Sequence, residues 1–234
     1  MKRILWILGL AVCVMAMFWV AGCDKTESPV EPTDEVVVDQ PGDDGAQAEK
    51  GYPSRWPTSM SHFKFPFSGV MDDYWHGQTW RITCGYGCGY HRNTYYPPAG
   101  YYSIDLIRSD SASAGSWVLN PARGKVAFAG WMTSYGWCVV MNHDAGHTGQ
   151  GYTSIVAHLQ SNPNDYVSEG NDLLQGTVLG KCGGSGGDWP AHIHFSIWKH
   201  NVSVPLNGIS GGGALEVGGS YCSGNALIRP PKGW

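Results

Sequence analysis

From residue 63 to residue 198 the apolar positions fall in short runs that alternate with polar ones, and the runs are rich in β-branched and aromatic side chains. Alternation with period two over four to eight residues marks half-buried strands. The pattern predicts strands at Phe63–Phe67, Trp80–Cys84, Tyr101–Ile107, Lys125–Trp131, Trp137–Asn142, Thr153–Leu159, Val178–Lys181 and His192–Trp198. Turn-forming clusters separate them at Ser68-Gly69, Pro121 to Gly124, Asp144 to Gly151, Asn162 to Asp165 and Gly183 to Asp188. No stretch keeps a 3.6-residue apolar period over three turns, so the expectation is an all-β domain.

The N-terminus follows another pattern. Lys2 and Arg3 precede an apolar run from Ile4 to Val20, closed by Val20-Ala21-Gly22-Cys23. This is the three-part layout of a secretory signal, and the run is short for a membrane-spanning helix. The segment resembles a bacterial lipoprotein signal. That resemblance implies removal of residues 1–22, acylation of Cys23, and a membrane-anchored protein facing the periplasm or the cell exterior. An ordinary cleaved signal or an uncleaved anchor is the alternative.

Between Asp24 and Tyr52 there are nine acidic residues (Asp24, Glu27, Glu31, Asp34, Glu35, Asp39, Asp43, Asp44, Glu49) against two lysines, Lys25 and Lys50. Pro29, Pro32 and Pro41 interrupt the segment, and no aromatic residue precedes Tyr52. Such a composition cannot bury enough apolar surface to fold, and like charges extend it, so residues 23–52 read as a disordered tether. The domain then runs from residue 53 to residue 234. From Pro53 onward there are eleven Lys/Arg and ten Asp/Glu, so the formal charge of −4 comes from the tether. No basic patch argues for nucleic acid.

Five cysteines fall in the domain: Cys84, Cys88, Cys138, Cys182 and Cys222. An exported chain allows disulfides. Cys84 and Cys88, flanking Gly85 and Gly87, are close enough in sequence to close a small loop. The spacings lack the paired C-x-x-C units of a cysteine zinc site.

Three histidine contexts carry candidate chemistry. In Ala191-His192-Ile193-His194-Phe195 the two imidazoles share one strand face, and Ile193 and Phe195 take the other. His158 ends the apolar strand Thr153–Leu159. Asp105 interrupts an apolar strand, where a carboxylate needs compensation by a cation or by hydrogen bonds. Trp75, Trp80, Tyr86, Tyr90, Trp131, Tyr135 and Trp189 are either groove-lining platforms or β-core residues.

The order of these pieces resembles the lysostaphin/LytM-type zinc endopeptidases. The shared series is Gly124-Lys125-Val126 with Gly130-Trp131, then Val156-Ala157-His158-Leu159. Gly170, Gly176, Val178-Leu179-Gly180 and Gly183-Gly184 come next, and Ala191-His192-Ile193-His194-Phe195 ends it. The resemblance implies a small antiparallel β-barrel or two-sheet domain holding one zinc ion per chain and cutting peptide cross-links of peptidoglycan. It implies Asp105 and His194 as zinc ligands and His158 and His192 as catalytic imidazoles. The family places its first zinc histidine four residues before the aspartate, where this chain has Tyr101. His91, fourteen positions before Asp105, is the first choice for that ligand and His76 the second. The altered first motif keeps a second expectation open: a degenerate domain that binds cell wall or regulates another hydrolase. A zinc peptidase directed at foreign or protein substrates is a third.

Overall fold

The computed structural model describes residues 56–68, 78–92, 100–144, 151–209, 214–225 and 227, all within one compact unit, Pro41–Trp234. The signal, Cys23, the tether, Trp75 and His76 lie outside the described residues. Among the described residues there is no α-helix, only short 3-10 turns, and every strand pair is antiparallel.

The described residues form eleven strands: β1 (Trp80–Cys84), β2 (Ile104–Arg108), β3 (Trp117–Leu119), β4 (Gly124–Met132), β5 (Gly136–Asn142), β6 (Tyr152–Leu159), β7 (Asp172–Leu173), β8 (Val178–Lys181), β9 (Ile193–Lys199), β10 (Val202–Ser203) and β11 (Ser220–Tyr221). Nine make one sheet in the order β11-β1-β2-β9-β6-β5-β4-β7, with β10 also pairing β9. The other two, β3 and β8, make a separate ribbon.

Alternation sorts the side chains of the large sheet onto two faces. On β9, Ile193, Phe195 and Ile197 are fully buried in the main core, which also takes Val118 and Leu179 from the ribbon. His194, Ser196 and Trp198 alternate with them and so point to the other face. Trp198 there joins a smaller cluster with Cys138, Ile155 and Ala157. On β2, Ile104 and Leu106 enter the core and leave Asp105 on the second face.

Two predicted strands differ from what forms. Phe63–Phe67 is not a strand, although Phe63, Phe65 and Phe67 all pack in the main core. Pro66 has no N–H to give a ladder, and Phe67 N–H bonds back to Phe65 O in a tight turn. The segment instead caps the core with stacked rings, Phe65 on Phe67 at 5.5 Å and Phe67 on Trp80 at 5.1 Å. Each such ring contributes roughly 1.5–3 kcal/mol by burial. The strand expected from Tyr101 begins only at Ile104, because Gly100–Tyr102 is a 3-10 turn closed by Ser103 N–H to Gly100 O.

His143, which no motif picks out, is a buried structural residue. Its Nδ1 bonds to Arg123 O and its Nε2 to Ser154 Oγ, both at 2.8 Å, and Phe63 meets the ring edge-on. Burial pushes its pKa down to about 4, against a smaller opposing effect from the Arg123 carbonyl. The folded value lies below the unfolded one, so the unfolded chain binds more protons in between. The stability is complete above pH ~6.5 and is lost as pH falls towards 4, by about 3 kcal/mol. With metal chelated, the urea midpoint of wild type should fall more steeply between pH 7 and 4.5 than that of His143→Gln. Parallel curves for the two proteins would refute this role.

Candidate metal centre

The pairing of β2 with β9 sets Asp105 directly opposite His194, and β6 sets Ala157 opposite His194 on the far side. Directly opposed residues in antiparallel strands share a face, so Asp105 and His194 meet by register alone. His194 Nδ1 lies 3.1 Å from Asp105 Oδ1.

His91 arrives from the loop after β1. Its Nε2 lies 3.3 Å from Asp105 Oδ1 and 3.3 Å from His194 Nδ1. Its Nδ1–H donates to Gly85 O at 3.0 Å, which leaves Nε2 as a bare acceptor. Three electron-rich atoms thus form a nearly equilateral triangle in a buried place. His194 Nε2, on the outer side of its ring, is buried with no hydrogen-bond partner.

The triangle fits a metal. A tetrahedral ion with ligand distances of ~2.0–2.1 Å has ligand–ligand edges of about 3.3 Å. Two imidazole nitrogens and one carboxylate oxygen suit zinc, and three ligands leave one position open. Cys84 Sγ is also within 4.8 Å of ligand atoms of His91 and Asp105, but it is bonded to Cys88 and is no thiolate.

Burial opposes the charge on Asp105, yet the adjoining imidazoles of His194 and His91 outweigh it and hold the carboxyl well below the usual range. Burial lowers His194, only partly offset by Asp105. Burial likewise opposes the charged form of His91, but Asp105 more than compensates and its pKa rises.

Two more imidazoles border the triangle. His192 Nε2 is 3.8 Å from Asp105 Oδ1, and its Nδ1 bonds to Pro190 O at 2.8 Å. His158 lies with its ring centroid 4.6 Å from that of His192 and 5.7 Å from that of His194. Its Nδ1 bonds to Ser185 O at 2.8 Å. In both rings Nδ1–H donates to the carbonyl, which leaves Nε2 as the acceptor. Burial first, then the charges of His194 and His192, push the His158 pKa down to about 3, so this ring is neutral at ordinary pH.

His158 reaches the site by breaking the strand. Val156 and Leu159 both enter the main core although they are three residues apart, which strict alternation forbids. The register with β5 slips here: Val139 faces Val156 while Trp137 faces Leu159. The extra residue is absorbed in a bulge, with His158 at φ 61° in the left-handed region. His158 N–H then bonds to Tyr135 O, and Gly183 N–H bonds to His158 O.

The structure therefore brings His91, Asp105, His158, His192 and His194 together. Of the aromatic candidates, Tyr135 stands edge-on to His194 at 5.3 Å, and Trp189 to His158 at 5.4 Å. Trp80 is buried in the core and lines no groove. Tyr86 packs against the core and accepts Leu206 N–H on its hydroxyl. Trp131 is exposed, edge-on to Trp137. The side chain of Tyr90 lies outside the described set. Sequence reasoning missed Gly85, Ser185 and Pro190, whose carbonyls orient the three imidazoles; a backbone acceptor carries no side-chain signal.

Residues 103–206 match Peptidase family M23. The match covers less than half of the 234-residue chain. The M23 match contains Asp105, His158, His192 and His194, and His91 lies upstream of it. No curated protein matches the sequence. Among solved structures, the chain is similar to a zinc containing peptidase from Vibrio cholerae at 19% identity, over 61% of this chain and 40% of that one, with a TM-score of 0.42. It is similar to Csd3 of Helicobacter pylori at 21% identity, over 64% and 35%, TM-score 0.42. It is also similar to the antimicrobial peptidase lysostaphin from Staphylococcus simulans at 20% identity, over 54% and 47%, TM-score 0.40. The chain spans less than half the length of each of these three.

Proposed function

We propose that the chain is a zinc-dependent endopeptidase that hydrolyses peptide cross-links of bacterial peptidoglycan. In this reading His91, Asp105 and His194 hold one zinc ion, and His158 and His192 handle protons. The observation that carries it is the triangle of His91 Nε2, Asp105 Oδ1 and His194 Nδ1, with edges of 3.1–3.3 Å. Zinc bound there supplies a Lewis acid that polarises a carbonyl oxygen and acidifies a water molecule.

The chain supplies the rest. Asp105 stays ionised and offsets the charge of the cation. The Gly85 carbonyl fixes the His91 tautomer, as outer partners of metal-bound histidines commonly do. His158 and His192 each present an acceptor Nε2 beside the centre, able to take a proton from water and return it to a leaving amine. The peptidoglycan substrate rests on the M23 match, and the export-type N-terminus agrees with it. Within the same proposal, Cys23 carries the lipid that holds the enzyme at the membrane of the cell envelope, and residues 23–52 are its tether.

Metal analysis tests the ligand set. Purified wild type should carry one zinc per chain, His91→Ala should lose it and His76→Ala should keep it. Zinc retained by His91→Ala and lost from His76→Ala would remove His91 from the site. A wild-type protein with zinc but no cleavage of purified peptidoglycan would favour the binding or regulatory reading.

A further inference from the structure

The loop that delivers His91 is closed by a bond that the chemistry above does not use. Cys84 ends β1 opposite Asp105 and is joined to Cys88, four residues on. Both backbone acceptors of His91 belong to that ring of residues. Gly85 O takes the Nδ1 proton at 3.0 Å, and Cys88 O takes the backbone N–H at 2.8 Å. Cys88 N–H in turn bonds to Gly85 O at 3.2 Å. One edge of the imidazole is therefore set by the five residues that the disulfide closes.

The outer side of the ring is fixed too. Gly87 N–H donates to Tyr101 O at 2.8 Å. Gly87 has φ +64°, and a Cβ there would come 2.6 Å from the Tyr101 ring. A Cβ on Gly85 would meet Val217 at 2.8 Å. The loop lies between the sheet end and the side chains of Tyr101 and Val217.

We propose that the Cys84–Cys88 disulfide is a positioning element for His91, so that the metal affinity of the centre depends on this bond. The inference rests on reading His91 as a ligand. Without the bond, the carbonyls of Gly85 and Cys88 are no longer held at fixed distance from Asp105, and His91 Nε2 is no longer held at the third corner. A disulfide over so short a loop removes little entropy from the unfolded chain, so its effect is local. Loss of an outer-shell partner typically costs 10–100-fold in metal affinity.

The test is a zinc titration of the intact protein in competition with a chromogenic chelator, with far-UV circular dichroism alongside. Wild type is compared with Cys84→Ser/Cys88→Ser, Gly87→Ala and His194→Ala. The double variant should keep its spectrum and bind zinc roughly 10–100-fold more weakly. Gly87→Ala keeps the disulfide but pushes the loop off Tyr101, and it should weaken zinc in the same direction. If the double variant does not fold, Gly87→Ala decides. Wild-type zinc affinity in every variant of this loop that folds overturns the inference while leaving the metal site standing. Wild type that takes up no zinc, or His194→Ala that binds it as wild type does, defeats the metal reading itself, which separates the two failures.

Discussion

His194→Ala is expected to fold, to hold no zinc after dialysis against a weak chelator, and to have no measurable peptidase activity. The magnitude follows from the ligand count. Four protein ligands bind structural zinc with roughly 10–16 kcal/mol, so one ligand is worth about 2.5–4 kcal/mol, or ~10²–10³ in affinity. His194 is the most central of the three, lying opposite Asp105 on β2 and opposite Ala157 on β6. The fold should survive because Ile193, Phe195 and Ile197 anchor β9 from the other face. The substitution removes the unpartnered Nε2 but also the Nδ1 contact to Asp105, so the metal-free variant should melt below metal-free wild type. Zinc content by elemental analysis and two thermal melts check all three statements. Retention of one zinc per chain would place the metal elsewhere.

The second large effect separates chemistry from binding. His158→Ala should keep zinc at the wild-type level and lose roughly 10²–10⁴ of kcat, the usual contribution of a positioned acid or base. His192→Ala should do the same, since its ring is anchored by Pro190 O and is not a corner of the triangle. Full turnover in His192→Ala would refute its role. The bulge adds a control at position 158. With φ 61°, alanine there keeps the left-handed strain and glycine does not, so His158→Gly should melt above His158→Ala by an amount on the order of 1 kcal/mol. Both should be equally inactive. A variant with high activity and low zinc would reverse the assignment of roles.

Much of the sheet is legible from alternation. Trp80–Cys84 and Val178–Lys181 form where expected, β2 starts three residues late, and the other central strands shift by one residue at their ends. The three shortest strands, Asp172–Leu173, Val202–Ser203 and Ser220–Tyr221, are too brief to carry a period. Phe63–Phe67 shows the opposite failure: its alternating burial is real, but Pro66 denies it a ladder. Alternation reports which side chains meet the core, not which backbone groups find partners.

The site divides in the same way. His192-Ile193-His194 on one strand, and a carboxylate inside another apolar strand, are local patterns, and local sequence determined that they would share a polar face. Only the tertiary structure decided which atoms meet. Register placed Asp105 against His194, a bulge turned His158 out of its strand period, and a disulfide-closed loop carried His91 across from β1. Each of these depends on pairing between segments distant in the chain, and the energy that selects one register over another comes from burying both faces of the sheet at once. No window of sequence contains that sum.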